Sequence, residues 1–297
     1  MSADGLIVVD KPAGMTSHDV VARVRRLART RRVGHGGTLD PMATGVLVIG
    51  VGRATRLLTY VIGSEKSYSA TIRLGQSTVT DDAEGEVVAT APAGHLTDDE
   101  IRSGLARFVG EIDQVPSAVS AIKIDGQRAY KRVRGGEEVT LAPRRVTISR
   151  LDVLAIRRVE PELVDVDVEL TCSSGTYVRA IARDLGAALA VGGHLAALRR
   201  TAVGSFTLAD AMTLPQLEER APDVVSLPLA VAARRFLPSR EVGADEARVL
   251  SHGGSLEPVG IAGPYAVFGP DGTLVAVVRE QARRARPEVV LGPANQR

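Results

Sequence analysis

Asp40 is the carboxylate whose surroundings most favour chemistry. It lies in the stretch from Val33 to Gly45, Val-Gly-His-Gly-Gly-Thr-Leu-Asp-Pro-Met-Ala-Thr-Gly, which has four glycines in thirteen residues. Glycine permits positive φ and a close approach to the backbone, and Pro41 favours extended geometry at the residue before it. The stretch therefore predicts a stiffened loop that presents a carboxylate to a substrate. An aspartate that only caps a turn is the alternative.

Tyr68 and Arg179 are two further side chains that could act beside such a carboxylate. Tyr68 lies in Lys66–Gly75, where Tyr68, Ala70, Ile72 and Leu74 alternate as in a half-buried strand. Arg179 follows Ser-Ser-Gly-Thr-Tyr-Val, which turns into a predicted helix that runs to about Leu189. Without other information, a packed tyrosine and a surface arginine are the favoured explanations of the two residues.

Several classes of site are disfavoured by the residues present. Cys172 is the only cysteine, which excludes an intramolecular disulfide and a cysteine-based zinc cluster, and its strand pattern predicts a core residue. The five histidines form no His-x-His or His-x-x-x-His pair, so no metal site is expected. Gly50-Val-Gly52 is followed by Thr55 in place of a third glycine, which argues against dinucleotide binding.

Composition and charge favour a soluble protein that binds an anion. Hydrophobic residues make up 44% of the chain, with no apolar run long enough to span a membrane and no signal-peptide pattern, so a cytoplasmic protein is expected. Net charge is only +2, yet residues 1–60 hold nine Lys and Arg against four Asp and Glu. Residues 123–145 hold seven basic and three acidic residues. Such clustering is typical of surfaces that bind phosphate backbones, and a solvated helix face is the alternative.

Four motifs together resemble those of one enzyme family. Gly-His-Gly-Gly-Thr-Leu-Asp-Pro-Met-Ala-Thr-Gly, with Asp40, is similar to the catalytic-aspartate motif of the bacterial tRNA pseudouridine-55 synthases. Asp10-Lys11-Pro12-x-Gly14-x-Thr16-Ser17 resembles the motif that braces the active site of that family. Lys66-x-Tyr68 and Gly175-Thr-Tyr-Val-Arg179 resemble its second and third motifs. The motifs follow the family's order and cover about residues 10 to 200.

The resemblance implies isomerisation of uridine 55, in the T-loop of tRNA, to pseudouridine. Asp40 would assist cleavage of the glycosidic bond, either as a nucleophile at C1′ or as a base that removes the 2′ proton. The stacked base must first be extruded.

The reaction involves no redox or group transfer, so no cofactor or metal is expected, and a monomer that binds the T-arm is expected. A tRNA-folding activity is a second candidate. An aspartate-dependent phosphohydrolase is disfavoured because no second carboxylate lies two residues from Asp40.

The resemblance also implies roles for individual residues. Arg179 would pair with Asp40 and keep it ionised and aimed, while Tyr68 would stack on the uracil and help to remove the C5 proton, deprotonated or through water. The other residues expected to contact substrate are His35, in the space that the base vacates, Leu198, near the base, Tyr177, Lys11, and the phosphate-facing Lys131, Arg132, Arg199 and Arg200.

The expected fold class is α+β, a pseudouridine synthase fold. A central mixed, largely antiparallel sheet would be flanked by helices in a catalytic domain of residues 1–228, with a basic RNA-clasping lobe near 118–146. A small, β-rich, PUA-like RNA-binding domain would cover residues 229–297. Within this frame the patterns predict a helix capped by Ser17, strands at 146–156 and 164–172, and a helix opened by Thr97. They predict a loop at 76–95 in which Asp81 and Asp82 are turn residues, and a solvated face for Asp165, Asp167 and Glu169.

Overall fold

The structure is a computed structural model that describes residues 4–117, 123–124, 127–128, 141–160 and 162–292. Among these residues the helices are α1 (Ser17–Leu27), α2 (Leu58–Ile62), α3 (Asp98–Ala106), α4 (Val178–Ala188), α5 (Leu214–Glu219), α6 (Leu229–Phe236) and α7 (Ala244–Ser251). Most of the basic lobe expected near 118–146, with Lys131 and Arg132, lies outside the described residues.

Eighteen strands lie in the described parts of the chain, ten of them in one central sheet. They are β1 (Gly5–Lys11), β2 (Val33–His35), β3 (Thr44–Val51), β4 (Lys66–Leu74), β5 (Gln76–Thr78), β6 (Val87–Thr90), β7 (Gly110–Gln114), β8 (Lys123–Ile124), β9 (Gln127–Arg128), β10 (Arg144–Glu160), β11 (Leu163–Cys172), β12 (Gly193–Val203), β13 (Phe206–Thr207), β14 (Leu227–Pro228), β15 (Ser239–Glu241), β16 (Pro264–Phe268), β17 (Leu274–Gln281) and β18 (Arg284–Val290).

The central sheet is mixed and largely antiparallel, as expected. Its order is β14-β1-β3-β12-β4-β11-β10-β7, with β2 paired to β3 and β13 to β12. The β12–β3 pair is parallel, whereas the other neighbours in this sheet are antiparallel. This one parallel contact brings two segments that are distant in the chain, the end of the Asp40 loop and β12, side by side.

Helix α1 begins at a capping box, but the cap is Thr16 and not Ser17. The Thr16 hydroxyl accepts a hydrogen bond from the Asp19 amide, and the Asp19 carboxylate accepts from the Thr16 amide. Ser17 is buried instead, and its hydroxyl donates to the Leu39 carbonyl at 3.0 Å and accepts from the Leu39 amide at 2.8 Å. The start of α1 therefore fixes the loop that carries Asp40.

Strands β4 and β11 confirm the predicted alternation, except on their polar face. Tyr68, Ala70, Ile72 and Leu74 are buried on β4, and Cys172 is buried in the core at the end of β11. The solvated face predicted for Asp165 is wrong, because it is only 5% exposed and accepts two hydrogen bonds of 2.8 Å from Arg73. Arginine side chains from neighbouring strands cover this face of the sheet. The alternation of apolar and polar residues along a single strand does not reveal such a cover.

The loop predicted for residues 76–95 contains the hairpin β5–β6. Asp82 lies in the connection between these strands and is a turn residue as predicted, since its carboxylate accepts from the Glu84 amide and its carbonyl from the Gly85 amide. It is only 2% exposed, which a turn position did not predict. The helix opened by the Thr97 capping box is confirmed as α3. The helix predicted after Gly175 is confirmed as α4.

A small C-terminal sheet of order β15-β16-β17-β18 packs against the end of β3 and the helical turn after it. Leu57 from this turn shares a buried cluster with Phe268 of β16. The guanidinium groups of Arg53 and Arg56 donate to the carbonyls of Leu291 and Val290, at 2.7 and 2.6 Å. These contacts join the small sheet to the sheet that carries the Asp40 loop.

We expect Gly45→Ala to destabilise the fold more than Gly14→Ala. Both glycines have positive φ, +98° at Gly45 and +80° at Gly14, but a Cβ at position 45 would lie 2.2 Å from the Arg200 carbonyl oxygen. A Cβ at position 14 would meet no atom within 4 Å. Gly14→Ala should cost about 1 kcal/mol of unfolding free energy from backbone strain, and Gly45→Ala about 2 kcal/mol more from overlap. Urea unfolding measures both, and equal losses would contradict the close β3–β12 contact.

Candidate active site

Asp40 and Arg179 form an ion pair beside the central sheet. Asp40 lies in the loop between β2 and β3, and Arg179 is the second residue of α4. The Arg179 Nε atom lies 3.0 Å from Asp40 Oδ2, with the Asp40 side chain 37% exposed and that of Arg179 6% exposed. The structure thus brings together the two residues that were expected to pair. A buried guanidinium orients a carboxylate that a ligand can still reach.

Asp82 is a member of the site that the sequence analysis missed. Its Oδ2 atom lies 3.3 Å from Arg179 Nη1, which also donates to the Thr80 carbonyl at 2.7 Å. The Asp82 Oδ1 atom accepts hydrogen bonds from the Thr80 hydroxyl and the Glu84 amide. Arg179 therefore spans two carboxylates, one buried and one partly open. Nothing in the local sequence distinguishes Asp82 from Asp81, because the distinction depends on a helix from another part of the chain.

Lys11 braces the Asp40 loop from inside the protein, which corrects the expectation that it contacts substrate. Its side chain is fully buried, and Nζ donates to the carbonyls of Pro12, Met15 and Pro41 at 2.9, 2.6 and 3.1 Å. Burial lowers the pKa of this ammonium group to about 8. The three donors of the group are used on backbone, so the bracing role implied for its motif is the one that the contacts support.

Arg200 is also buried, which corrects the expectation that it faces phosphate. It is 1% exposed and donates to the carbonyls of Val46, Gly37 and Thr38 at 2.7, 3.1 and 3.3 Å. The neighbouring Arg199 has a side chain that is 40% exposed and pairs with Asp10 at 2.7 Å. Successive residues of a strand point to opposite faces, so only one of this arginine pair can reach solvent.

A cavity of about 250 Å³ opens beside Asp40. Its size is below the usual range of 300–1,000 Å³ for drug-sized ligands, which suits a fragment such as one base. Of the predicted residues, those that line it are Asp40, Tyr68, Tyr177, Arg179, Leu198 and Arg200. An adjoining cavity of about 550 Å³ shares Leu198 and is lined by Arg199.

Lys66 lines the cavity, although the sequence analysis assigned it no role. It is 7% exposed, and its Nζ donates to the carbonyls of Ile62 and Ser64 at 2.8 and 2.7 Å. Burial, and then the nearby Arg200, lower the pKa of its ammonium group to about 8. Its position two residues before Tyr68, in the second motif, is the sequence feature that could have identified it as a site residue. Its contacts fix the end of α2 against the cavity wall.

Tyr68 contributes a neutral phenol to the cavity. It is 8% exposed, and burial raises the pKa of its hydroxyl above the ordinary value of 10.0, against a smaller lowering effect of Arg200. The expectation that a deprotonated Tyr68 removes the C5 proton is therefore disfavoured near neutral pH. The phenol ring itself is placed where a base inside the cavity would contact it.

His35 lies in β2, outside the lining of the cavity beside Asp40. Its ring packs edge-on against His18 of α1, with ring centroids 5.3 Å apart and an angle of 78° between the planes. Burial, followed by the nearby His18, lowers the pKa of the His35 imidazole. Its Nδ1 atom is buried and has no hydrogen-bond partner in the part of the chain that the structure describes. The structure thus places His35 near the loop but not in contact with the cavity.

Three family models match successive segments of the chain. Residues 25–178 match a family model described as TruB family pseudouridylate synthase, N-terminal domain. Residues 179–224 match the tRNA pseudouridylate synthase B C-terminal domain, and residues 237–292 match tRNA pseudouridine synthase II, C-terminal. The chain belongs to the TruB family.

TruB relatives match nearly the whole chain. The tRNA pseudouridine synthase B of Rhodococcus jostii is 59% identical over 294 residues, which cover 99% of this chain and 95% of the relative. The proteins of the same name from Arthrobacter sp. and Thermobifida fusca are 56% and 55% identical, over 98% and 97% of this chain and 98% of each relative. As a TruB enzyme, the protein isomerises uridine in tRNA to pseudouridine.

Solved structures confirm the pseudouridine synthase fold of this TruB chain. The chain is similar to a protein in a Cbf5-Nop10-Gar1 complex, with a TM-score of 0.72 and 25% identity over 98% of this chain and 85% of that one. It is also similar to a protein in an archaeal box H/ACA sRNP Nop10-Cbf5 complex, with a TM-score of 0.71 and 26% identity over 98% and 87% of the two chains.

In the described residues no group of three or more His, Cys, Asp or Glu side chains could hold a metal ion. No helix in the same part of the chain is long and apolar enough to cross a membrane.

We expect the Tyr68 hydroxyl to remain protonated at pH 10, where a solvent-exposed tyrosine is half ionised. Since folding raises its pKa, the stability that the neutral phenol contributes is complete below pH 10 and is lost as the pH rises through the folded-state pKa. Phenolate absorbance of the wild type minus that of Tyr68→Phe, recorded against pH, isolates this group. A transition at or below pH 10 in the difference would contradict the burial of the hydroxyl.

Proposed function

We propose that the uridine isomerised is number 55, in the T-loop, and that Asp40 acts on its ribose. The observation that carries this proposal is the Asp40–Arg179 ion pair at a base-sized cavity that Tyr68 also lines. The loop around Asp40 carries the family's catalytic-aspartate motif. The Asp40 carboxylate is the group of this cavity that is both anionic and partly exposed.

The reaction requires that the bond between N1 of uracil and C1′ breaks and that a bond from C5 to C1′ forms. Asp40 either attacks C1′, giving a covalent ribosyl ester, or removes the 2′ proton, giving a glycal. In both routes the uracil turns within the cavity before C5 attacks, and the C5 proton is then lost. A 2′-deuterium isotope effect on turnover separates the routes, because only the second breaks the C2′–H bond.

Extrusion of the target base precedes this chemistry, because a stacked base cannot reach Asp40. Tyr68 stacks on the extruded uracil, a contact of about 1 to 3 kcal/mol, and Leu198 packs near the base. As a neutral phenol, Tyr68 assists loss of the C5 proton through its hydroxyl oxygen or a water molecule. His35 occupies the space that the base leaves in the T-loop. Tyr177 closes the cavity at the start of α4.

Asp82 acts as a positioning residue for the Asp40–Arg179 pair. Arg179 is nearly buried, and a guanidinium in that setting needs compensation by charge and hydrogen bonds. Asp82 and the Thr80 carbonyl both contact the Nη1 atom of Arg179, and this leaves the Nε atom of the same guanidinium facing Asp40. The carboxylate that does chemistry is therefore aimed by one that does not contact substrate.

The partner is the T-arm of tRNA, which a monomer binds in the cytoplasm. Arg199 contacts its phosphates from β12, and Lys131 and Arg132 do so from the lobe near 118–146. The chain divides at residue 228 into a catalytic domain and a PUA-like RNA-binding domain. A tRNA-folding activity is the second candidate, because opening a folded loop to extrude a base also allows a misfolded loop to re-form.

We expect Asp40→Asn to reduce turnover by about 10³-fold or more while tRNA binding is retained, because the amide is neither a base nor a nucleophile. Tritium release from tRNA labelled at C5 of uridine measures turnover, and filter binding measures affinity. A tRNA with cytidine at position 55 is the matched substrate control and should release no tritium. Full turnover by Asp40→Asn would overturn the catalytic role of Asp40. Tritium release from the control tRNA would overturn the assignment of uridine 55 as the target.

We expect Asp82→Asn to lower kcat by about tenfold or more with little change in KM, because a positioning group acts on the reactive state and not on binding. Asp81→Asn is the matched control, since Asp81 is the adjacent residue and pairs with Arg183 at 3.4 Å. The same tritium assay gives both constants. An equal effect of the two substitutions, or a change confined to KM, would contradict this role for Asp82.

A further inference from the structure

Four arginines at the end of α1 form a cluster that the site does not use. Arg26, Arg29, Arg31 and Arg32, here termed the arginine surface, are all exposed. In the described parts of the chain none of these four side chains lies within salt-bridge distance of a carboxylate, whereas Arg23 of the same helix pairs with Glu218. Like charges held together repel one another, so a cluster without internal partners suits an external anion.

Arg29 occupies a backbone position that normally favours glycine. It is the residue after the C-cap of α1 and has φ +50°, in the left-handed region. Glycine, and less often asparagine, is the usual choice there because a larger side chain is strained. The Thr30 amide donates to the Arg25 carbonyl at 3.2 Å, which closes the turn. The Arg29 side chain is exposed, and among the described residues it has no ion pair with a carboxylate that would compensate for this strain.

The arginine surface is held in a fixed relation to the catalytic loop. Helix α1 starts at the Ser17–Leu39 hydrogen bonds, and its eleven residues span about 16 Å. At its far end, the Arg32 carbonyl accepts a hydrogen bond of 2.8 Å from the Gly52 amide, and β2 follows at once. The surface thus lies one helix length from the Asp40 loop, on a rigid support.

We propose that the arginine surface docks the phosphate backbone of the substrate tRNA away from the nucleotide that enters the cavity. This inference rests on the isomerisation of tRNA uridine, because an RNA with one nucleotide at Asp40 must continue along the protein surface. Guanidinium groups match phosphate geometry and are always charged. The surface supplies affinity and orientation, and it takes no part in the chemical step.

Arg29→Asn tests the proposal, because asparagine tolerates the left-handed backbone and removes the charge. We expect its affinity for full-length tRNA to fall about tenfold at low salt, as for one lost charge-assisted contact. The slope of log affinity against log salt should decrease by about 1. The single-turnover rate at saturating enzyme should be unchanged, and Tm should equal or exceed that of the wild type. Arg29→Lys, which keeps the charge, should retain most of the affinity.

Arg107→Asn is the matched control, because Arg107 is also an exposed arginine at a helix end, the C-cap of α3, with φ −67°. It should bind tRNA as the wild type does. Substituting Gln at Arg26, Arg31 and Arg32 together should lower the salt slope further.

Wild-type affinity and salt slope in Arg29→Asn and in the triple variant would overturn the proposal. A loss of single-turnover rate with unchanged affinity would also overturn it, because the arginines would then act on chemistry. Failure of the proposed function is distinguishable, since it removes tritium release from position 55 whatever the binding result.

Discussion

The charge of Arg179 is the constraint on which the arrangement of the site depends. A guanidinium that is 6% exposed would be costly to bury without partners, and it has them in Asp40, Asp82 and the Thr80 carbonyl. These partners come from two loops, and the arginine comes from α4. Because the buried Arg179 guanidinium needs these partners, it joins the Asp40 loop, the β5–β6 connection and α4. Because Asp82 is fully enclosed, Asp40 can share the cation and still remain 37% exposed.

The loop that carries Asp40 is held mainly through its backbone. Lys11 donates to the Pro41 carbonyl, Arg200 to those of Gly37 and Thr38, and Ser17 bonds both polar groups of Leu39. Glycine at positions 37 and 45 supplies the positive φ that the loop requires, so its shape is fixed without bulky side chains that would fill the cavity. Such support keeps a reactive group close to its productive geometry.

These contacts also give the cavity its electrostatic character. Lys66 and Arg200 are buried cations that line the cavity, and Lys11 is a buried cation bonded to the loop that carries Asp40. The pKa values of both lysines are lowered to about 8. Their donors are directed at backbone carbonyls, so they contribute positive potential without contacting a ligand directly. The exposed arginines of α1 serve a different purpose, since they present charge to solvent on a fixed helix. Buried lysines and arginines thus hold the backbone in place, whereas the exposed arginines are available to bind a ligand.

The sequence by itself determined the strands and helices with a clear period and the glycine-rich loop, and its resemblance to a known family predicted that Asp40, Tyr68 and Arg179 belong to one site. Those features depend on local pattern or on motifs that can be read within a few residues. It did not determine that Asp82 shares Arg179, that Thr16 caps α1, that Asp165 is covered by Arg73, or that Lys11 and Arg200 are internal. Each of those facts depends on which distant segment lies against the residue, and the parallel contact of β3 with β12 and the packing of α4 decide that. An exposed lysine or arginine can bind RNA, whereas a buried one supports the backbone. Which of the two a residue does depends on its burial, and burial is a property of the tertiary structure.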